Sequence, residues 1–421
     1  MISGSILTRL TATRATLLVQ IQQSATSLVA TAAFVGVLHS SQFGLYAIAQ
    51  ASALLMVGMI DSGVLVPALV RLSQHGARGG HRRMLLALPT LVGLALLGSL
   101  AVFFLLVLTL PLFGAPVQTV WQLAATTAGL GAALSLREVS RQSMLLRRST
   151  VALVASEAAS SLLLLCFVAA WFYLPGLGAR TVVGAILLMC VAGVLPLLML
   201  AREWIRSGHS MRIQWFGSAL MRRGAWSFAA SQITWVQSQT YLYFVSAMLS
   251  PSAAGVLASA RLIFQPLQTA VTGLSRGLLA ELAANTGPGR WQEANRRMRR
   301  FFLWLVLISL VWLALSFALR PQLEFWLRDK GYAFDSALLI SWSAVFLFSG
   351  ARAIVTQVLR AAGHFRQLTS QGFIGAVASL VVIPSAILAF GATGAVAGLA
   401  TIEAMTLLIG LRLVSTRKDD S

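Results

Sequence analysis

Met84 to Leu110, Val151 to Phe172 and Phe301 to Leu319 are runs dominated by apolar residues, each long enough to cross a hydrocarbon core of about 30 Å as a helix. No other feature restricts the fold as strongly. A bilayer β-barrel alternates apolar and polar residues along each strand, and these runs do not. Composition agrees: 57% of residues are hydrophobic, 10% are charged and the mean hydropathy is +0.81, whereas about a quarter of residues in a soluble domain are charged. The chain reads as an all-α polytopic membrane protein.

Hydropathy divides the sequence into twelve spans. They are residues 16–37, 43–69, 84–110, 118–136, 150–173, 182–200, 224–249, 254–284, 301–319, 336–359, 369–390 and 392–411. The connections test this number, because cytoplasmic loops carry the excess of Lys and Arg. With both termini inside, the outside loops hold only Arg180, Arg320, Arg328 and Lys330, and Arg261, Arg276 and Arg352 fall within spans. The rest of the 32 basic residues lie inside. The even number of spans and the orientation therefore support each other.

The same arrangement accounts for the net charge of +20. The arginines sit where topology requires them, so nucleic acid is not expected as a partner. The opening residues lack an apolar core followed by a small-residue cleavage site, and no removable signal peptide is expected. Cys166 and Cys190 lie in hydrophobic spans and read as small apolar side chains. The histidines are scattered over loops without metal-ligand spacing, and no phosphate-cradling glycine loop is present. No cofactor and no direct use of ATP is indicated.

The two halves repeat one another. "HSSQFGLYAIAQ" from His39 and "SPSAAGVLASAR" from Ser250 align at an offset of 211, pairing Gly44 with Gly255 and Ala47 with Ala258. "RRM" at Arg82 meets "RRM" at Arg296, and Arg137 and Gln142 meet Arg352 and Gln357 at 215. Six spans return the chain to its starting side, so the period predicts two six-helix bundles, residues 1–210 and 211–421, related by a pseudo-twofold axis along the membrane normal.

Polar stripes point to a central cavity. Arg9, Thr13, Thr16, Gln20, Gln23, Ser27 and Thr31 step by three or four along the first span, which is one helical face. Tyr46, Gln50 and Asp61 do so in the second, Gln232, Trp235 and Gln239 in the seventh, and Arg261, Gln265, Gln268, Thr272 and Arg276 in the eighth. Polar residues inside a span face a bundle interior or a water-filled cavity, and spans one, two, seven and eight are expected to line one. Alternatively the Gln, Ser and Thr residues bond helices together. Charges are costlier, which favours a functional role for Arg261, Arg276 and Asp61, although Arg276 has the option of snorkelling to the cytoplasmic surface. Glu157 and Glu403, also intramembrane, are either proton or ion sites or the neutralising partners of arginines. Glu138 and Glu281 offset neighbouring arginines.

With the repeat in place, "FGLYAIAQA" in span two, "AAGVLASARLI" in span eight and "RAIVTQVLRAAGHFR" closing span ten resemble the O-antigen and exopolysaccharide flippases of the multidrug/oligosaccharidyl-lipid/polysaccharide exporter superfamily. An acidic residue common in span seven of such proteins falls near Thr240, where this chain has none. The resemblance implies a multi-pass protein of the bacterial inner membrane that flips an undecaprenyl-diphosphate-linked oligosaccharide by alternating access. It also implies membrane lipids, a polysaccharide polymerase and glycosyltransferases as partners. The residues suit such cargo: Arg for the diphosphate, Gln, Ser and Thr for sugar hydroxyls, and Trp235 and Tyr46 for covering sugar rings. Energy would enter as H+ or Na+ at Asp61, Glu157 or Glu403, or through the membrane potential. A multidrug exporter would favour an acidic cavity. A membrane-embedded glycan-modifying enzyme would need a catalytic constellation and long outer loops. A scaffold subunit of a glycan-assembly complex is the plainest alternative.

Both termini are expected in the cytoplasm. Reporter fusions after Gly80, Gly208 and Gly289 should read inside, and fusions after Ser41, Gly114 and Ser252 outside. An outside signal at Gly208 would overturn the twelve-span order.

Overall fold

The structure, a computed structural model, describes residues 12–65, 88–109, 111, 117–146, 149–174, 181–206, 218–284, 291–361 and 365–415. Each expected span is a helix over its described residues. They are α1 (Ala12–Val37), α2 (Ser40–Ile60, ending in a π-turn at Asp61–Leu65), α3 (Leu88–Thr109), α4 (Val117–Leu146), α5 (Thr150–Tyr173) and α6 (Val182–Arg206). They continue with α7 (Ser218–Met248), α8 (Pro251–Ala284), α9 (Trp291–Leu327) and α10 (Ser336–Ala361). A last segment, Phe365–Ser415, is broken at Gly391, whose φ of 63° and ψ of −146° are not helical; only glycine adopts such a backbone readily. This separates α11 (365–390) from α12 (392–415). No strand occurs among the described residues.

Seven described segments are individually long and apolar enough to span a bilayer, covering α2, α3, α5, α6, α9, α10 and the α11–α12 pair. The helices that fall short, α1, α4, α7 and α8, are those in which glutamines, hydroxyls and arginines interrupt the apolar sequence. Helix α4 also runs to Leu146, beyond the expected end at 136. Its charged end stays helical with Arg141 bonded to Glu138 one turn earlier, a spacing that helices support.

The repeated sequence at His39 and Ser250 is a pair of helix starts. Gln42 Oε1 accepts from the His39 N–H at 3.4 Å, half of a capping box. Ser250 Oγ accepts from the Ala253 N–H at 3.1 Å, with Pro251 in the first helical position, where its missing N–H costs nothing. Ser40 and Ser252 share a hydrogen bond of 2.6 Å between their hydroxyls. A Cβ on Gly44 would lie 1.8 Å from the Pro251 carbonyl oxygen, and one on Gly255 would lie 1.9 Å from that of Ser40. Each glycine thus makes room for the backbone beside the other.

The chain divides into two compact units, one of Met1–Leu38 and Leu45–Gln232, the other of His39–Gly44 and Ile233–Ser421. The division falls inside α7, and the opening turn of α2 belongs to the second unit. In the first unit α4 is central: α3, α5, α6 and the π-turn pack on it, and α1 packs on α5. In the second unit α10 has that place, receiving α8, α9 and the α11–α12 segment. Helices α4 and α10 are the repeat counterparts marked by Arg137 and Arg352. Aromatic side chains fill both cores: Phe34 meets Tyr46 and Trp171 edge-on in the first, and Trp342 meets Tyr241 and Phe346 in the second. Beyond the end of α9, Tyr332 packs against Phe43, and its burial pushes the phenol above its usual pKa, keeping it neutral.

Candidate functional site

Charge buried inside a span has to be matched, and the two central helices do so in parallel ways. On α4, Arg137 Nε lies 3.2 Å from Glu157 Oε2 of α5, with Nη2 bonded to the same oxygen. Gln23 of α1 donates to that oxygen at 3.0 Å. On α10, Arg352 makes a two-pronged pair with Glu403 of α12, at 2.7 and 3.2 Å, and Gln237 of α7 donates to Glu403 Oε1 at 3.1 Å. Both glutamates are almost fully buried, 1% and 3% exposed. Arg137 corresponds to Arg352 at an offset of 215, and Gln23 and Gln237 come from the first helix of each half. The acid does not correspond, coming from the fifth helix of one half and the last helix of the other. Of the two readings open for Glu157 and Glu403, the geometry supports neutralising partners of arginines.

Gln23 is therefore committed to an ion pair. Thr31, the last member of the same stripe, is buried and bonds the Ser27 carbonyl at 2.7 Å. Tyr46 is fully buried against Phe34 and presents no face to a sugar. Gln20 is half-buried, and Gln268 lies exposed on α8. The backbone carbonyl of Gln265 accepts from Thr269. Serines and threonines elsewhere, such as Ser52, Ser160 and Ser316, likewise bond carbonyls one turn back in their own helices, a common way to bury a hydroxyl. Arg276 is on α8, but its side chain lies outside the described residues, as do those of Thr13, Thr16, Thr272 and Glu281.

Arg261 differs from Arg137 and Arg352. Its Nη1 donates to Gln239 Oε1 at 3.2 Å and reaches Tyr241 Oη at 3.5 Å, and its guanidinium lies 5.9 Å from the centre of the Trp342 ring. Among the described residues no carboxylate forms an ion pair with it. Tyr241 and Trp342 are fixed edge-to-face at 5.5 Å in the core, so they hold the cation without neutralising it. The half-buried Gln232 and Trp235 lie earlier on α7. Both amide atoms of Gln232 are buried without a hydrogen-bond partner, and Trp235 meets Tyr243 edge-on.

In the first unit, Asp61 opens the π-turn of α2, and its Oδ1 is buried without a hydrogen-bond partner. The charges acting on it come from α4, where Arg141 is bonded to Glu138 and Gln142 donates to the same carboxylate at 2.7 Å. Gln142 and its repeat counterpart Gln357 each leave Oε1 buried and unpaired. Gln50, one side of the expected stripe, is half-buried on α2. No cluster of metal-ligating side chains occurs among the described residues.

No protein-family model matches the sequence, and no curated protein matches it. Solved structures do. The inward-facing conformation of a multidrug resistance MATE family transporter of the MOP superfamily superposes with a TM-score of 0.74 at 13% identity, covering 96% of this chain and 98% of that one. An outward-facing conformation of such a transporter gives 0.65 at 13% identity, over 99% and 98%. The lipid II flippase MurJ in an inward closed conformation gives 0.72 at 12% identity, over 96% and 87%. The chain is a multi-pass membrane protein with the fold of MOP-superfamily transporters. At this level of identity the likeness concerns the fold and leaves the cargo to the residues.

Removing one member of a buried ion pair strands the other, at about 3–5 kcal/mol. Glu157→Gln and Glu403→Gln should therefore each lower the melting temperature of the purified protein and its abundance in the membrane. Replacing both partners together, Arg352→Met with Glu403→Leu, should recover much of the loss. A Glu403→Gln protein that melts normally yet transports nothing would make Glu403 a working residue instead of a pin.

Proposed function

We propose that this protein flips a lipid-linked oligosaccharide carried on undecaprenyl diphosphate across the bacterial inner membrane by alternating access, with Arg261 as an anchor for the diphosphate. The observation that carries this reading is the contrast among the intramembrane arginines. Arg137 and Arg352 are matched by carboxylates, whereas Arg261 is held by an amide, a phenol and an indole face. A cation positioned but not neutralised suits an anionic group, and a guanidinium suits phosphate through its planar fork of donors. Gln232, with both amide atoms unpartnered, offers donor and acceptor to a sugar hydroxyl. The fold is shared with a lipid II flippase as well as with multidrug transporters. A cationic drug would meet the wrong charge at Arg261, which favours the anionic cargo.

With Glu157 and Glu403 committed to arginines, Asp61 is the carboxylate left for H+ or Na+ coupling. Its buried, unpartnered oxygen stands where a π-turn interrupts α2, and such turns recur at functional sites.

Arg261→Lys keeps the charge and loses the fork, so surface polysaccharide should fall in part. Arg261→Gln, which copies Gln50 of the other half, should fall much further. One charge-assisted contact is worth about 1.5–3 kcal/mol, roughly ten- to hundredfold in rate if it acts on the limiting step. Membrane abundance, measured alongside, should stay unchanged. Normal abundance with full surface polysaccharide in Arg261→Gln would overturn the assignment.

A further inference from the structure

The second unit holds a cavity of about 1100 Å³ unconnected to the residues just assigned. It exists because α10 carries α9 and α12 while those two scarcely touch each other. Its walls are hydrocarbon, built by Phe302 of α9, Ile354 and Val355 of α10, and Ala404, Met405 and Leu408 of α12. The two hydroxyls that reach it are already satisfied: Thr401 bonds the Ala397 carbonyl at 3.0 Å and Ser415 the Arg412 carbonyl at 2.9 Å. Phe302 and Leu408 keep 42% and 61% of their surface open, so among the described residues nothing is laid over this apolar groove.

One end is different. Arg299, near the start of α9, and Arg412, in the last turn of α12, both line the cavity and both are exposed. Their loops are ones that the charge distribution places in the cytoplasm. A groove with hydrocarbon walls that runs along α12 from Thr401 to Ser415, with two guanidinium groups at its cytoplasmic end, is complementary to a molecule with an apolar chain and an anionic phosphate head. Basic pockets between transmembrane helices on that side bind phosphate-headed lipids. Two planar donor forks distinguish this head from a zwitterionic one, which presents its own cation to the same place.

We propose that the groove between α9, α10 and α12 is a binding site for an anionic phospholipid of the cytoplasmic leaflet, its chain against Phe302, Val355 and Leu408 and its phosphate between Arg299 and Arg412. The site shares no residue with the Arg261 cluster, so it stands whatever the cargo proves to be.

The full-length protein, exchanged into an equal mixture of phosphatidylglycerol and phosphatidylcholine and released into the gas phase from detergent, should retain phosphatidylglycerol preferentially by about tenfold, as expected for a charge-assisted contact. Replacing both cations, Arg299→Ala with Arg412→Ala, should bring the two lipids to parity. Ala404→Phe, which fills the groove without touching either arginine, should displace the retained lipid of both kinds while the melting temperature stays near that of the wild type. Equal retention of the two lipids by the wild type would overturn the proposal, as would a selective lipid that survives Ala404→Phe. Displacement of phosphatidylglycerol from the groove by a polyprenyl phosphate at equal concentration would also overturn it, assigning the groove to the cargo's tail.

Discussion

Arg137 and Arg352 each carry a cation into the middle of a helical unit, and each is neutralised by a glutamate that a glutamine also holds. Much of the architecture follows from these two clusters. They sit on α4 and α10, the helices on which their neighbours pack, and each ties three helices together: α1, α4 and α5 in one unit, α7, α10 and α12 in the other. Such pairs contribute little net stability, because desolvation offsets most of the attraction. Their effect is on specificity. In hydrocarbon, a helix rotated or shifted by one turn would leave a charge or an amide without a partner, and that penalty falls on every wrong packing.

Matching those carboxylates to arginines sorts the remaining intramembrane charge. Arg261 is oriented by Gln239, Tyr241 and Trp342, and among the described residues no carboxylate neutralises it. Asp61 keeps one oxygen buried and unpartnered on a π-turn. These groups carry an energetic cost that the described packing does not recover, and the proposed function rests on that cost. The division of labour that the proposed function draws is between paired charge, which sets the fold, and the charge at Arg261 and Asp61, which it gives to cargo and coupling ion.

The sequence made a good deal of this legible. Hydropathy and loop charge anticipated all twelve helices, because the bilayer imposes both signals on the residues directly. The echo between His39 and Ser250 anticipated two matched helix starts, since capping and close approach constrain the small residues that recur there. Arg261 stood out because an arginine in an apolar span is rare. The ion pairs were not legible. Arg137 fell just past the expected end of its span, and α4 runs on to Leu146. Gln237 lies on a different face from the Gln232, Trp235 and Gln239 stripe and is 1% exposed. The internal repeat aligned Arg137 with Arg352, but the glutamates come from non-equivalent helices, so no offset brings them into register. Tyr46 and Gln23, buried or bonded between helices, show the limit of spacing: it identifies a polar face, and only packing tells whether that face meets water or another helix.

Transport by the purified protein tests the central claim most directly. In proteoliposomes loaded on one leaflet with a fluorescent polyprenyl-diphosphate oligosaccharide, the account predicts protein-dependent appearance of the label on the other leaflet. It further predicts slowing by excess unlabelled polyprenyl diphosphate and none by cationic dyes. Label that stays on its own leaflet, in vesicles where the same protein exports a cationic dye, would contradict it.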